Sequence, residues 1–134
     1  MYLVDTNVWL ELLLGQAKAN DVADFLDKIP AQQLYLTDFA FHSICVILTR
    51  LRKETALANF VQDLFVDGEV SLATLAPEET PDLLAIKGKF HLDFDDAYQY
   101  AAAGKYGLTL VSFDADFNRT KRGKQTPREI LDKM

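Results

Sequence analysis

Four short segments of this chain each deliver aspartate at the end of an apolar run: Val4-Asp5-Thr6-Asn7, Phe94-Asp95-Asp96-Ala97, Phe113-Asp114 and Ala115-Asp116. The first, the second and the adjoining last two lie far apart in the chain, so only a folded sheet brings them together. Carboxylates that converge in one cleft repel each other unless a cation sits among them. An oxygen-only donor set suits hard divalent ions such as Mg²⁺ or Mn²⁺ and points to metal-assisted chemistry on phosphates. Asp5, Asp96 and Asp114 are the leading catalytic and metal-binding candidates, with Asp116 auxiliary. Asp93 and Asp95 read as helix-start acids, where the macrodipole favours negative charge. Asn7 and Ser112 are supporting groups, able to orient a carboxylate or donate to a phosphate.

The elements that must position these residues follow from apolar spacing. Tyr2-Leu3-Val4 reads as a strand ending at Asp5, and Val8 to Leu14 as a helix stopped by Gly15. Thr6 and Asn7 offer alternative caps for that helix, which frees Asp5 to act as a ligand. Residues 18–29 carry Val22, Phe25, Leu26 and Ile29 at helical spacing, ended by Pro30. Leu34-Tyr35-Leu36 reads as a second strand, with Thr37-Asp38 capping a helix through about residue 53. A helix over 54–66, a strand over 70–74, a helix after Pro77 and Pro81, a helix over 93–106 and a strand over 108–112 complete the alternation. Thr126-Pro127 opens a last short helix, with proline at its first position. The alternation predicts an α/β sandwich on a parallel sheet, whose ligands bind beyond the carboxyl ends of the strands. That is where the aspartates fall.

The chain of 134 residues suffices for one domain, 1–134, with a substantial core. No apolar run approaches the roughly 20 residues needed to span a bilayer. The N-terminus has no basic segment or small-residue cleavage site, and the lone Cys45 excludes an intrachain disulfide framework; both fit the cytoplasm. The net charge of −6 looks adverse to nucleic acid. With the six aspartates above set aside, however, fourteen acids face fourteen lysines and arginines. Arg119, Lys121, Arg122, Lys124, Arg128 and Lys133 crowd the last sixteen residues. An acidic pocket beside a basic rim suits a metal site that receives a polyanion, and Arg119, Lys121, Arg122 and Lys124 are the candidate residues of that rim. An aspartyl-phosphate phosphatase is disfavoured, because position 7 holds Asn where those enzymes need a second aspartate.

Asp-Thr-Asn after an N-terminal strand, Asp-Asp-Ala before an alanine-rich helix and Ser-Phe-Asp-Ala-Asp-Phe after a late strand resemble a PIN domain over essentially the whole chain. The size resembles the VapC-type ribonuclease toxins of toxin–antitoxin pairs. This resemblance implies an α/β/α sandwich with a central parallel sheet of four to five strands. It further implies one or two Mg²⁺ or Mn²⁺ ions, phosphodiester cleavage of RNA, a homodimer and a small antitoxin partner. By position Asp5, Asp96 and Asp114 match three family acids, and Asp116 the accessory one. The remaining family acid is a glutamate on the helix after the second strand, and here the expected slot holds His42. A neutral imidazole there would favour Mn²⁺ or a softer metal over Mg²⁺. Asp38, one turn earlier, would add charge or orient His42. Apolar side chains on the 37–53 and 54–66 helices have two readings, a dimer face or packing within the one core.

Overall fold

Four short apolar runs pair as a parallel sheet because each connection between successive strands contains a helix that carries the chain back. A computed structural model describes residues 1–134. Strands β1 (Tyr2–Val4), β2 (Leu34–Thr37), β3 (Ser71–Ala73) and β4 (Thr109–Val111) lie in the order β3-β2-β1-β4, all parallel. Leu3 sits opposite Leu110, and Tyr35 opposite Ser71. Beyond β4, Gln125 forms a single parallel bridge with Val111, so a fifth strand is reduced to one residue.

Side chains alternate across a strand, and the two cores follow that period. Val4, Leu36 and Val111 join Val8, Trp9, Phe25, Ile44 and Leu48 on one face. Leu3 and Leu110 join Tyr100, Ala102, Ala103 and Phe117 on the other. Helices α1 (Thr6–Leu13), α2 (Ala19–Lys28), α3 (Asp38–Arg50) and α4 (Glu54–Val61) cover the first face. Helices α5 (Thr80–Phe90) and α6 (Phe94–Tyr106) cover the second, and α7 (Pro127–Asp132) packs on α2. This is the expected α/β/α sandwich. A parallel sheet needs cover on both faces.

Several boundaries differ from the sequence expectation for local reasons. The first helix begins at Thr6 because Asp5 is itself the cap, its Oδ1 accepting from the Thr6 amide at 2.8 Å. The 37–53 helix stops at Arg50, since Arg52 takes a left-handed conformation with φ 58°. The helix expected over 54–66 is α-helical only to Val61 and continues as a π-helical turn, Gln62–Val66. Strands three and four are shorter than expected at each end. Asp93 caps α6, its Oδ1 accepting from the Asp96 amide at 2.9 Å, and Gly107 ends that helix at φ 65°.

Candidate metal centre

The carboxyl edge of the sheet gathers the residues that follow β1, β2 and β4, and α6 starts beside it. The Asp5 amide donates to the Val111 carbonyl at 2.9 Å, which extends the ladder by one residue and fixes where the side chain leaves the sheet. Asp5 is only 6% exposed. Its Oδ1 accepts from Thr6 N and from Gln99 Nε2 at 2.9 Å; its Oδ2 accepts from Ser112 Oγ at 2.8 Å and, at 3.4 Å, from Asn7 Nδ2. Burial pushes the Asp5 carboxyl above its ordinary range, and the bonds from Gln99 and Ser112 pull against that.

Asn7 and Ser112 then extend the network to the segment after β4. Asn7 donates to Ser112 Oγ at 3.2 Å and accepts from the Phe113 amide at 3.2 Å. Ser112 Oγ accepts from the Asp114 amide at 3.0 Å, and Asp114 Oδ1 accepts from the Asp116 amide at 2.8 Å, capping a short 3₁₀ turn over Ala115–Arg119. These bonds aim the Asp114 and Asp116 side chains toward the first turn of α6. Carboxylate oxygens of Asp96, Asp114 and Asp116 come within 4.8 Å of one another.

That clustering has an electrostatic cost. Burial raises the Asp96 carboxyl to about 8, helped by the charges of Asp114 and Asp93 and by a hydrogen bond with Asp114. No lysine or arginine pairs with Asp96 or Asp114; Arg119 pairs only with Asp116, at 2.9 Å, and also donates to the His91 carbonyl at 2.7 Å. Three converging hard oxygen donors without a basic partner for two of them fit a divalent cation.

A cavity of about 270 Å³ adjoins this cluster and shares Asp96 with it. Asp5, Asn7, Asp95 and Gln99 line it together with Leu10 of α1 and Phe39, Ser43 and Ile47 of α3. His42 is exposed and does not line it. The α3 position that faces the aspartates is therefore Ser43, and the proposed His42 ligand is corrected accordingly. Asp38 does not orient His42 either: it is exposed, and its Oδ1 accepts from the Tyr98 hydroxyl at 2.7 Å. Burial, then that bond, pushes the Tyr98 phenol up to about 12.

The candidate basic residues divide. Arg119 lies beside the acids, tied to Asp116, and Lys121 is exposed. Arg122 turns away: its guanidinium stacks 4.0 Å from the Tyr100 ring and donates to the Tyr100 carbonyl at 2.7 Å. Lys124 shares a separate recess with Arg122 and Tyr100. Sequence reasoning missed Gln99 and Ser43. The signal for Gln99 was a polar residue one turn after Asp96 on an otherwise apolar helix face.

The PIN domain family matches residues 2–123. No curated protein matches the sequence. Among solved structures, a toxin–antitoxin complex from Klebsiella pneumoniae superposes with a TM-score of 0.76 at 19% identity, covering 95% of this chain and 98% of that one. FitAcB from Neisseria gonorrhoeae gives 0.74 at 21% identity, covering 96% and 99%. VapC20 of Mycobacterium tuberculosis, described as a toxin that cleaves the sarcin–ricin loop, gives 0.74 at 18% identity, covering 88% and 93%.

Proposed function

This chain belongs to the PIN domain family, and on that premise we propose that it is a divalent-metal-dependent endoribonuclease, the toxin of a toxin–antitoxin pair. The observation that carries this reading is the meeting of Asp96, Asp114 and Asp116 within 4.8 Å beside the buried Asp5. Similarly folded proteins are described as a toxin–antitoxin complex and as a toxin that cleaves the sarcin–ricin loop, which supports the choice of substrate and partner. Asp96, Asp114, Asp116 and Asp5 would hold one or two Mg²⁺ or Mn²⁺ ions. Such an ion, when bound, lowers the pKa of a coordinated water and stabilises charge on the phosphate.

The chain's own residues supply orientation and charge. Asp5 contributes a carboxylate whose direction is set from three sides, by Thr6, Gln99 and Ser112. Asn7 and Ser112 tie that carboxylate to Asp114, so the acids from β1 and β4 move as one unit. Arg119 and Lys121 are the cations nearest the acids along the chain and would meet the RNA backbone. A small antitoxin, a homodimer and a cytoplasmic setting belong to this proposal. No helix is long and apolar enough to cross a membrane.

Cleavage of an RNA panel with Mn²⁺ or Mg²⁺, compared with D5N and D96N proteins, is the test. Both variants are expected to lose at least about a hundredfold in rate, as removal of a first ligand does more than the 10–100-fold typical of its supports. Equal background activity in all three proteins would sink the reading.

One observation favours a second reading. The α3 wall of the cavity offers Phe39, Ser43 and Ile47, with no acid where the family resemblance expects glutamate. A site short of one negative charge would bind metal weakly and leave an RNA- or protein-binding module. Calorimetry with Mn²⁺ separates the two: saturable binding favours the nuclease, and its absence the module.

A further inference from the structure

We propose that Gln99 is a positioning residue that aims the Asp5 carboxylate, and that Thr37 sets the direction of the Gln99 amide. The role rests on the nuclease reading of the cleft. Gln99 is 2% exposed on α6, where its buried neighbours are Ala97, Tyr98, Tyr100, Ala102 and Ala103. A buried amide costs free energy unless both its ends are satisfied. Both are: Nε2 donates to Asp5 Oδ1 at 2.9 Å, and Oε1 accepts from Thr37 Oγ1 at 2.5 Å.

The direction of this relay follows from its two ends. Thr37 caps α3, its Oγ1 accepting from the Ala40 amide at 2.9 Å. The hydroxyl proton is then free for Gln99 Oε1, and the Asp5 carboxylate oxygen accepts from the NH₂, so the two ends set the amide the same way. A helix cap on β2–α3 thus joins the acid at the end of β1 in orienting a side chain of α6. Ser112 donates to the other oxygen from the β4 side, so the carboxylate is gripped from two elements. The chemistry asks for a neutral donor here. Lysine or arginine would cancel the charge a cation needs, and glutamate would repel it.

The test uses Q99L, which keeps the volume and removes both bonds, with T37V, T37S and the Q99L/T37V pair. Thermal unfolding establishes that each folds. Supporting partners of metal ligands typically contribute 10–100-fold, so Q99L and T37V are each expected to weaken Mn²⁺ binding by calorimetry at least about tenfold. Each should lower kcat by a similar factor with KM for RNA unchanged, since the loss is at the reacting centre. T37S, which keeps the hydroxyl, should restore wild-type behaviour, and the double variant should be no worse than either single one. Wild-type Mn²⁺ affinity and kcat in Q99L would overturn the proposal, as would multiplicative losses in the pair. A wild-type protein that neither binds Mn²⁺ nor cleaves RNA defeats the nuclease reading instead. In that case ¹⁵N NMR of the metal-free protein decides the relay. A slowly exchanging Gln99 side-chain amide that shifts in T37V and D5N supports it; a rapidly exchanging, averaged signal overturns it.

Discussion

Asp96 sits half-buried on the first turn of α6, with Asp93 one turn before it and Asp114 across from it. Its carboxyl, raised to about 8 first by burial and then by those charges, holds a proton in the metal-free fold that the unfolded chain releases near pH 4. The native state binds more protons between those values, so stability is greatest below about pH 4 on this account and falls as pH rises through about 8. Asp5 and Asp95, also raised, act in the same direction. Denaturant midpoints in EDTA are expected to drop between pH 5 and pH 8, and D96N should flatten that slope. A midpoint that rises over this range in wild type would show that the cluster is not protonated. Asp5, Asp96 and Asp114 could be ranked from spacing, because each adjoins an apolar strand or an alanine-rich helix. Ser112 was legible as a strand-end hydroxyl able to orient a carboxylate, but its pairing with Asp5 and the whole role of Gln99 were not, since the two meet Asp5 across 107 and 94 residues.

At the scale of elements, α3 shows where periodicity carries information that a linear motif hides. A helix turns about 100° per residue. Ala40, Ile44 and Leu48 form its buried stripe, and Phe39, Ser43 and Ile47 the adjoining one that meets the cleft. His42 lies two residues before Ile44, about 200° away, and so faces solvent. Motif spacing alone assigns His42 to the cleft, and the helical angle turns it away. Helix α6 allows a direct test of its start. D93A removes the cap on the Asp96 amide and should lower stability by about 1 kcal/mol, whereas D93S should retain most of it by supplying a hydroxyl acceptor. Chemical denaturation of the three proteins measures this. A D93A protein as stable as wild type would mean that α6 is held by packing alone.

Across the whole molecule, the acidic and basic residues do not divide into the pocket and rim that the linear sequence suggests. Arg128 pairs with Asp21 at 3.0 Å and Asp24 at 3.4 Å, Arg119 with Asp116, and Arg122 stacks on Tyr100. Much of the basic C-terminal cluster therefore ties the tail to α2 and α6. The acids, by contrast, remain without basic partners at Asp96 and Asp114, so a divalent ion that binds only the native state should stabilise the entire fold. Mn²⁺ at a hundred times its Kd is expected to raise stability by about 2.7 kcal/mol, read as a shift in thermal midpoint that EDTA reverses. No shift would count against a metal centre. The sequence by itself determined the α/β sandwich on a parallel sheet, the order of its elements and which aspartates fall at strand ends, because apolar period and strand-end aspartates are local properties of the chain. Only the tertiary structure decided that Ser43 rather than His42 faces the cleft, that Arg122 is committed to α6, and that Gln99 links Thr37 to Asp5. Those depend on which helix face meets the sheet and on bonds between residues far apart in sequence, and no local pattern encodes them.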